Sequence, residues 1–143
     1  MNDASQLADF VATQEPVYAQ VVRELKAGHK QTHWMWFIFP QLAGLGSSWM
    51  SEKYGISSLA DARGYLEHGV LGLRLRECTG LMLAIPHRDI TSVFGYPDDL
   101  KFRSSMTLFA AAAPDEPLFQ EALEKYFQGE RDPLTIERLQ EHS

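Results

Sequence analysis

The feature that most constrains this chain is a stripe of apolar side chains, Leu71, Leu75, Cys78, Met82 and Ile85, spaced three or four residues apart. That period belongs to one face of an α-helix, and a face this long must be buried against other elements. The stripe predicts a core helix from about Val70 to Ile85, closed by Pro86, with Arg74 and Glu77 at the spacing of an ion pair. Shorter versions of the same pattern flank it. Leu7, Phe10 and Val11 predict a helix over roughly 4 to 13 after the capping candidates Asn2 and Asp3. Val17, Tyr18, Val21, Val22 and Leu25 predict a second helix that ends where Gly28 supplies a left-handed residue.

The remaining elements follow from their punctuation. His33 to Phe39 is too apolar for a surface and reads as a short buried helix stopped by Pro40, with a strand as the competing reading because aromatic residues also favour sheets. Residues 42 to 57, rich in Gly and Ser, read as a long loop interrupted by Trp49 and Met50. Ser58 with Asp61 has the form of a capping box opening a helix on Leu59, Ala62 and Leu66. Asp89 opens a short helical turn through Phe94, Gly95 to Asp99 reads as a turn, and Lys101 to Ala113 reads as a helix ended by Pro114. Pro117 opens a further helix ended by Gly129, and Asp132-Pro133 has the N-cap and first-turn chemistry of a last one. The expectation is an all-α, compact multihelical domain of about eight or nine helices occupying residues 1–143.

Composition narrows the function classes. A hydrophobic fraction of 45% and a charged fraction of 22% are globular values, and 143 residues suffice for one core without metal or disulfide support. Cys78 is the single cysteine, which excludes an internal disulfide and a thiolate zinc cluster and fits a reducing, cytoplasmic compartment. Neither a secretory leader nor a membrane span is read in the sequence. The net charge of −6 argues against a nucleic-acid partner, which needs clustered Lys and Arg. His29, His87 and His142 have no second ligand at useful spacing, so no metal site is expected, and no cofactor is expected either. Oligomeric state is not legible.

The string His33-Trp34-Met35-Trp36-Phe37-Ile38-Phe39-Pro40-Gln41 resembles the DUF1810 family. The likeness extends through Lys30, Gly44-Leu45-Gly46, Ser48, Tyr54, Ile56, Ser58, Tyr65-Leu66, His68 and Leu71-Gly72-x-Arg74-Leu75. It resumes in Phe94-Gly95-Tyr96-Pro97-Asp98-Asp99-x-Lys101-x-x-Ser104-Ser105-Met106-Thr107-Leu108-Phe109. The resemblance implies a stand-alone multihelical fold and no agreed activity; no inhibitory motif accompanies the calpastatin-like label that some members carry. A looser likeness concerns the NADAR proteins, helical domains associated with NAD and ADP-ribose metabolism that act on N-glycosidic bonds. It rests on the aromatic early segment, the central amphipathic helix, and Phe94-Gly95 followed by an acidic turn, a lysine and a small-residue helix. The chain departs from that pattern in having no Ser-Glu-His-Tyr run.

Several residues have the chemistry of a site. Lys101, Ser104 and Ser105, with Arg103, are expected at a helix start, where free N–H groups favour a phosphate; equally, the serines read as caps and Lys101 as a partner of Asp98 or Asp99. Trp34 and Trp36 are rings able to stack on a base or nicotinamide, although tryptophans within an apolar run are more often core. His33 is the titratable group among them, with Gln41, Ser48 or Tyr54 as polar partners, and Lys30 is a second phosphate ligand. Asp98 and Asp99, with Glu24 and Glu77, are the acidic candidates for proton transfer. Two expectations follow. One is a binder or enzyme for a phosphorylated nucleotide-like molecule of the NAD or ADP-ribose type, with hydrolysis of an N-glycosidic bond suggested by the NADAR likeness. The other is a non-catalytic protein-interaction domain whose motif residues serve structure.

Overall fold

The computed structural model describes residues 4–141, and these form helices joined by turns, without strands. Ten helices are present among them, close to the eight or nine expected. The fold begins with α1 (Ala4–Gln14) and α2 (Tyr18–Ala27), the latter closed by Gly28 in the left-handed conformation at φ 71°. The capping candidates Asn2 and Asp3 lie outside the described residues, as does His142. The aromatic string holds the one-turn α3 (Met35–Ile38), so helix prevails over strand there. The Gly/Ser loop contains the short α4 (Trp49–Tyr54), and its base is pinched shut by a single parallel bridge between Leu42 and Ile56.

Ser58 caps α5 (Leu59–Glu67) by accepting from the Asp61 N–H at 3.1 Å. The apolar stripe forms α6 (Leu71–Ala84), with Leu75 at 1% and Met82 at 0% exposure. The expected Arg74–Glu77 pair is replaced. Arg74 reaches Glu15, directly after α1, at 2.7 Å, and Glu77 accepts from the Tyr18 hydroxyl on α2. Each charge thereby ties α6 to a neighbouring helix instead of to its own next turn.

After α7 (Ile90–Phe94) comes α8 (Asp98–Ala112), then α9 (Pro117–Phe127) and α10 (Pro133–Glu141). Asp132 caps α10, its Oδ2 accepting from the Thr135 N–H at 3.2 Å. The most enclosed element is α8, not α6: ten of its residues are buried, and it packs against α9, α5, α7, α10 and α3. Beyond its first turns, where Leu100 is exposed, the helix carries no single stripe, because small residues such as Ser104, Ser105, Thr107 and Ala110 let neighbours approach from several sides. Phe102 projects from α8 into a cluster with Phe39 at 4.9 Å and Phe94 at 5.3 Å, and Trp34 lies 6.1 Å from Phe94. Edge-on and tilted ring contacts of this kind fix the aromatic string against α7 and α8. No helix among the described residues is long and apolar enough to cross a membrane.

Candidate functional site

The segment from Lys30 to Gln41 is held from below by one carboxylate. Glu24, 3% exposed, accepts from the N–H groups of Gln31 at 2.7 Å and Thr32 at 3.0 Å, from the Thr32 hydroxyl at 2.6 Å, and from Trp34 Nε1 at 2.9 Å. Gln20 Nε2 supplies another donor at 2.9 Å. Burial alone would raise the Glu24 pKa, but the bonds from Thr32, Gln31 and Gln20 favour the ionised form and hold it at about 2. A carboxylate so occupied takes no proton near neutrality. Glu24 is therefore the clamp that shapes the loop, and Trp34, 1% exposed, is a core ring fastened to it.

Above this clamp the two distant segments meet. Asp98 receives Lys30 Nζ at 2.8 Å on one oxygen and Lys101 Nζ at 3.2 Å on the other. Two ammonium groups and one carboxylate leave the cluster with one excess positive charge, and its side chains are only 8 to 19% exposed. The Lys101 ammonium also stands 4.4 Å from the centre of the Trp36 ring, within the range of a cation–π contact. Asp99 is separately consumed: it accepts from the Thr91 hydroxyl at 2.7 Å and from the Leu100 N–H at 2.9 Å, joining α7 to α8.

Lys101 opens onto a cleft of about 380 Å³. Its lining comes from three places: the loop residues Gln41, Leu45, Gly46 and Ser51; Pro97, Leu100, Lys101, Arg103 and Ser104 at the start of α8; and Asp132, Pro133 and Leu134 at the start of α10. A volume of this size falls in the range of small-molecule sites, and a mostly apolar surface with a few polar groups is their usual composition. Beside it lies a recess of about 10 Å³ between Trp36, Leu42, Met50, Tyr54 and Gly55, sharing Gln41, Gly46 and Ser51 with the cleft.

Of the residues singled out in the sequence, Trp36, Gln41, Tyr54, Lys101 and Ser104 line these two connected spaces, with Lys30 and Asp98 directly behind Lys101. The others are elsewhere. His33 is exposed and borders neither space. Ser48 is the N-cap of α4, accepting from the Ser51 N–H at 3.1 Å. Ser105 is fully buried inside α8. The expected phosphate cradle at a helix start is corrected by the position of that start: α8 begins at Asp98, so Ser104 and Ser105 are two turns inside it and their N–H groups belong to the helix. The acidic first turn of Asp98 and Asp99, which reads as a loop in the sequence, is itself the favoured complement of the helix dipole.

Ser104 instead joins helices, its Oγ lying 2.9 Å from Asp132 Oδ2 and 3.1 Å from the Leu100 carbonyl. Arg103 is likewise engaged, donating to the carbonyls of Glu130 at 3.2 Å and Arg131 at 2.9 Å. Ser51, Leu100 and Leu134 are cleft residues that the sequence did not single out, and no local pattern marks them, since tertiary packing alone brings the three elements together. Among the described residues no group of three His, Cys, Asp or Glu side chains is arranged to hold a metal ion.

Comparison with known proteins places this architecture. No curated protein matches the chain. The crystal structure of the conserved hypothetical protein Rv1873 from Mycobacterium tuberculosis is similar at 53% sequence identity and a TM-score of 0.94, over 96% of this chain and 99% of that one. The family model described as "Protein of unknown function (DUF1810)" matches residues 4–139, and the chain belongs to the DUF1810 family.

Proposed function

We propose that the protein binds a small phosphorylated, nucleotide-like molecule in the cleft between the 41–51 loop, α8 and α10. The observation that carries this reading is the Lys30–Asp98–Lys101 cluster, whose excess positive charge stands at the wall of a largely apolar cleft. An anionic group is attracted to Lys101, while Leu45, Pro97, Leu100 and Leu134 offer the apolar surface that a base or sugar face covers. Partial burial weakens screening by water and salt, so one net charge here acts more strongly than one on an open surface.

Binding is better supported than catalysis. Asp98 is shared by two lysines, Asp99 is locked between helices, Glu24 is clamped, and His33 borders neither space. Hydrolysis of an N-glycosidic bond therefore rests on the NADAR likeness alone. The test is a thermal-shift screen against NAD, ADP-ribose, AMP and sugar phosphates. A ligand bound only by the native state raises Tm, by the equivalent of about 2.7 kcal/mol at a hundredfold excess over Kd. No shift with any of these compounds at millimolar concentration contradicts the reading.

The second reading, a protein-interaction domain, draws on the exposed apolar side chains Trp49, Tyr96, Leu100 and Leu134 on or next to segments that line the cleft. Were this the function, substituting these four residues by Ser would abolish partner capture and leave small-ligand shifts absent throughout.

A further inference from the structure

Among the residues lining the recess, one polar atom is buried without a partner. Trp36 Nε1 is buried and has no hydrogen-bond acceptor, in contrast to Trp34 Nε1, which is bonded to Glu24 at 2.9 Å. The Gln41 side chain, half-buried and bordering both the recess and the cleft, makes no hydrogen bond within the described residues. A buried donor without an acceptor is costly, and such groups in native proteins point to something that pairs with them. Gly46 borders both spaces, and a Cβ there would stand 2.7 Å from Ser51 Oγ, so a side chain at this position would displace Ser51, which lines both as well.

Direction and size define what fits. The indole N–H lies in the ring plane, whereas Lys101 stands 4.4 Å from the ring centre over its face, so the two address different atoms of a ligand. The indole is a donor only, and it requires an acceptor; the Gln41 carboxamide offers both a donor and an acceptor. About 10 Å³ admits one water-sized group and excludes a ring. Leu42 and Met50 make the walls apolar, which disfavours a second charged oxygen there. We infer that the recess is a one-oxygen subsite, in which Trp36 Nε1 and the Gln41 carboxamide receive a neutral carbonyl or hydroxyl oxygen of the molecule whose anionic group lies against Lys101. This inference rests on the binding reading above and makes Trp36 and Gln41 the residues that distinguish a hydroxylated or carbonyl-bearing phosphate from a bare one.

The experiment is calorimetric titration of wild type, Trp36→Phe and Lys101→Ala with AMP and with inorganic phosphate. Trp36→Phe keeps a ring beneath Lys101 and removes the donor; it should weaken AMP about 10-fold and leave inorganic phosphate unchanged. Lys101→Ala should weaken both. In the two-dimensional NMR spectrum the Trp36 indole N–H should move on adding AMP, while that of Trp34 stays in place. If Trp36→Phe fails to fold, Gln41→Met, which removes the carboxamide at nearly constant shape, should give the same selective loss of AMP. Equal AMP affinity in Trp36→Phe and wild type, with Lys101→Ala weakened, overturns the subsite and leaves the binding reading standing. Absence of binding to wild type overturns both.

Discussion

Trp34 and Trp36 stand two residues apart in one short segment, and the structure uses them in opposite ways. Trp34 is closed into the core, its N–H satisfied by Glu24 and its ring packed on Phe39 and Phe94. Trp36 lies at the edge of an open space, its ring beneath Lys101 and its N–H unpaired. The region below the string is a saturated polar knot; the region above it keeps groups in reserve. Saturated buried networks give rigidity and a unique geometry, whereas unsatisfied ones lower stability and remain available to a ligand. A satisfied indole and an unsatisfied one thus stand within a single turn of helix.

The sharpest way to break that comparison is at the knot. Glu24→Ala leaves Trp34 Nε1 and the N–H groups of Gln31 and Thr32 without their acceptor, and should cost about 3 to 5 kcal/mol in urea denaturation at pH 7. A loss below about 1 kcal/mol would show that the knot contributes little. Acid provides a graded version. Because the Glu24 pKa is depressed from 4.5 to about 2, its ionised form contributes stability that is complete above pH 4.5 and disappears as the pH falls through 2. That contribution is roughly 3 kcal/mol at neutrality. The stability difference between wild type and Glu24→Gln should therefore shrink as the pH is lowered from 4.5 to 2; a difference independent of pH would contradict the assignment.

The tryptophans themselves give the next effect. Trp34→Phe removes a satisfied buried N–H and leaves Glu24 with one donor fewer, for an expected loss of about 2 to 3 kcal/mol. Trp36→Phe removes a donor that has no partner and should change stability by less than about 1 kcal/mol. Equal losses in the two variants would erase the distinction. Ser105→Ala should give the smallest change, neutral or stabilising by up to about 1 kcal/mol, because its buried hydroxyl has no hydrogen-bond partner; a clear drop in Tm would reveal one.

Much of the fold is legible in the residues. Gly28, Ser58, Asp132 and Pro133 mark helix ends through local chemistry that needs no tertiary context, and the α6 stripe marks a core face because one side of that helix meets solvent at Leu73. The start of α8 is not legible in the same way. Pro97-Asp98-Asp99 suits a turn as well as a helical first turn, and a difference of three residues carries Ser104 and Ser105 from a helix terminus into its interior.

The site shows the same division. Lys101, Trp36 and Gln41 have suggestive chemistry in the sequence, yet their proximity depends on Phe39 and Phe94 packing against Phe102. Which groups stay unpaired is a property of the packed whole. Glu24 appears in the sequence as an acid like any other, and becomes the clamp only when three residues of the turn after α2, Gln31, Thr32 and Trp34, fold back onto it.

The most direct test of the central claim is calorimetric titration of AMP into wild type and Lys101→Ala at low ionic strength. Asp98 retains Lys30 at 2.8 Å in the variant, so folding should be nearly intact, with a loss of about 1 kcal/mol or less. AMP affinity should fall by roughly 1.5 to 3 kcal/mol, the worth of a lost charge-assisted hydrogen bond, which is about 10- to 150-fold. Equal affinity in the two proteins, or a lowered Tm with no change in binding, would make Lys101 a structural partner of Asp98 and remove the main support for a phosphate site in this cleft.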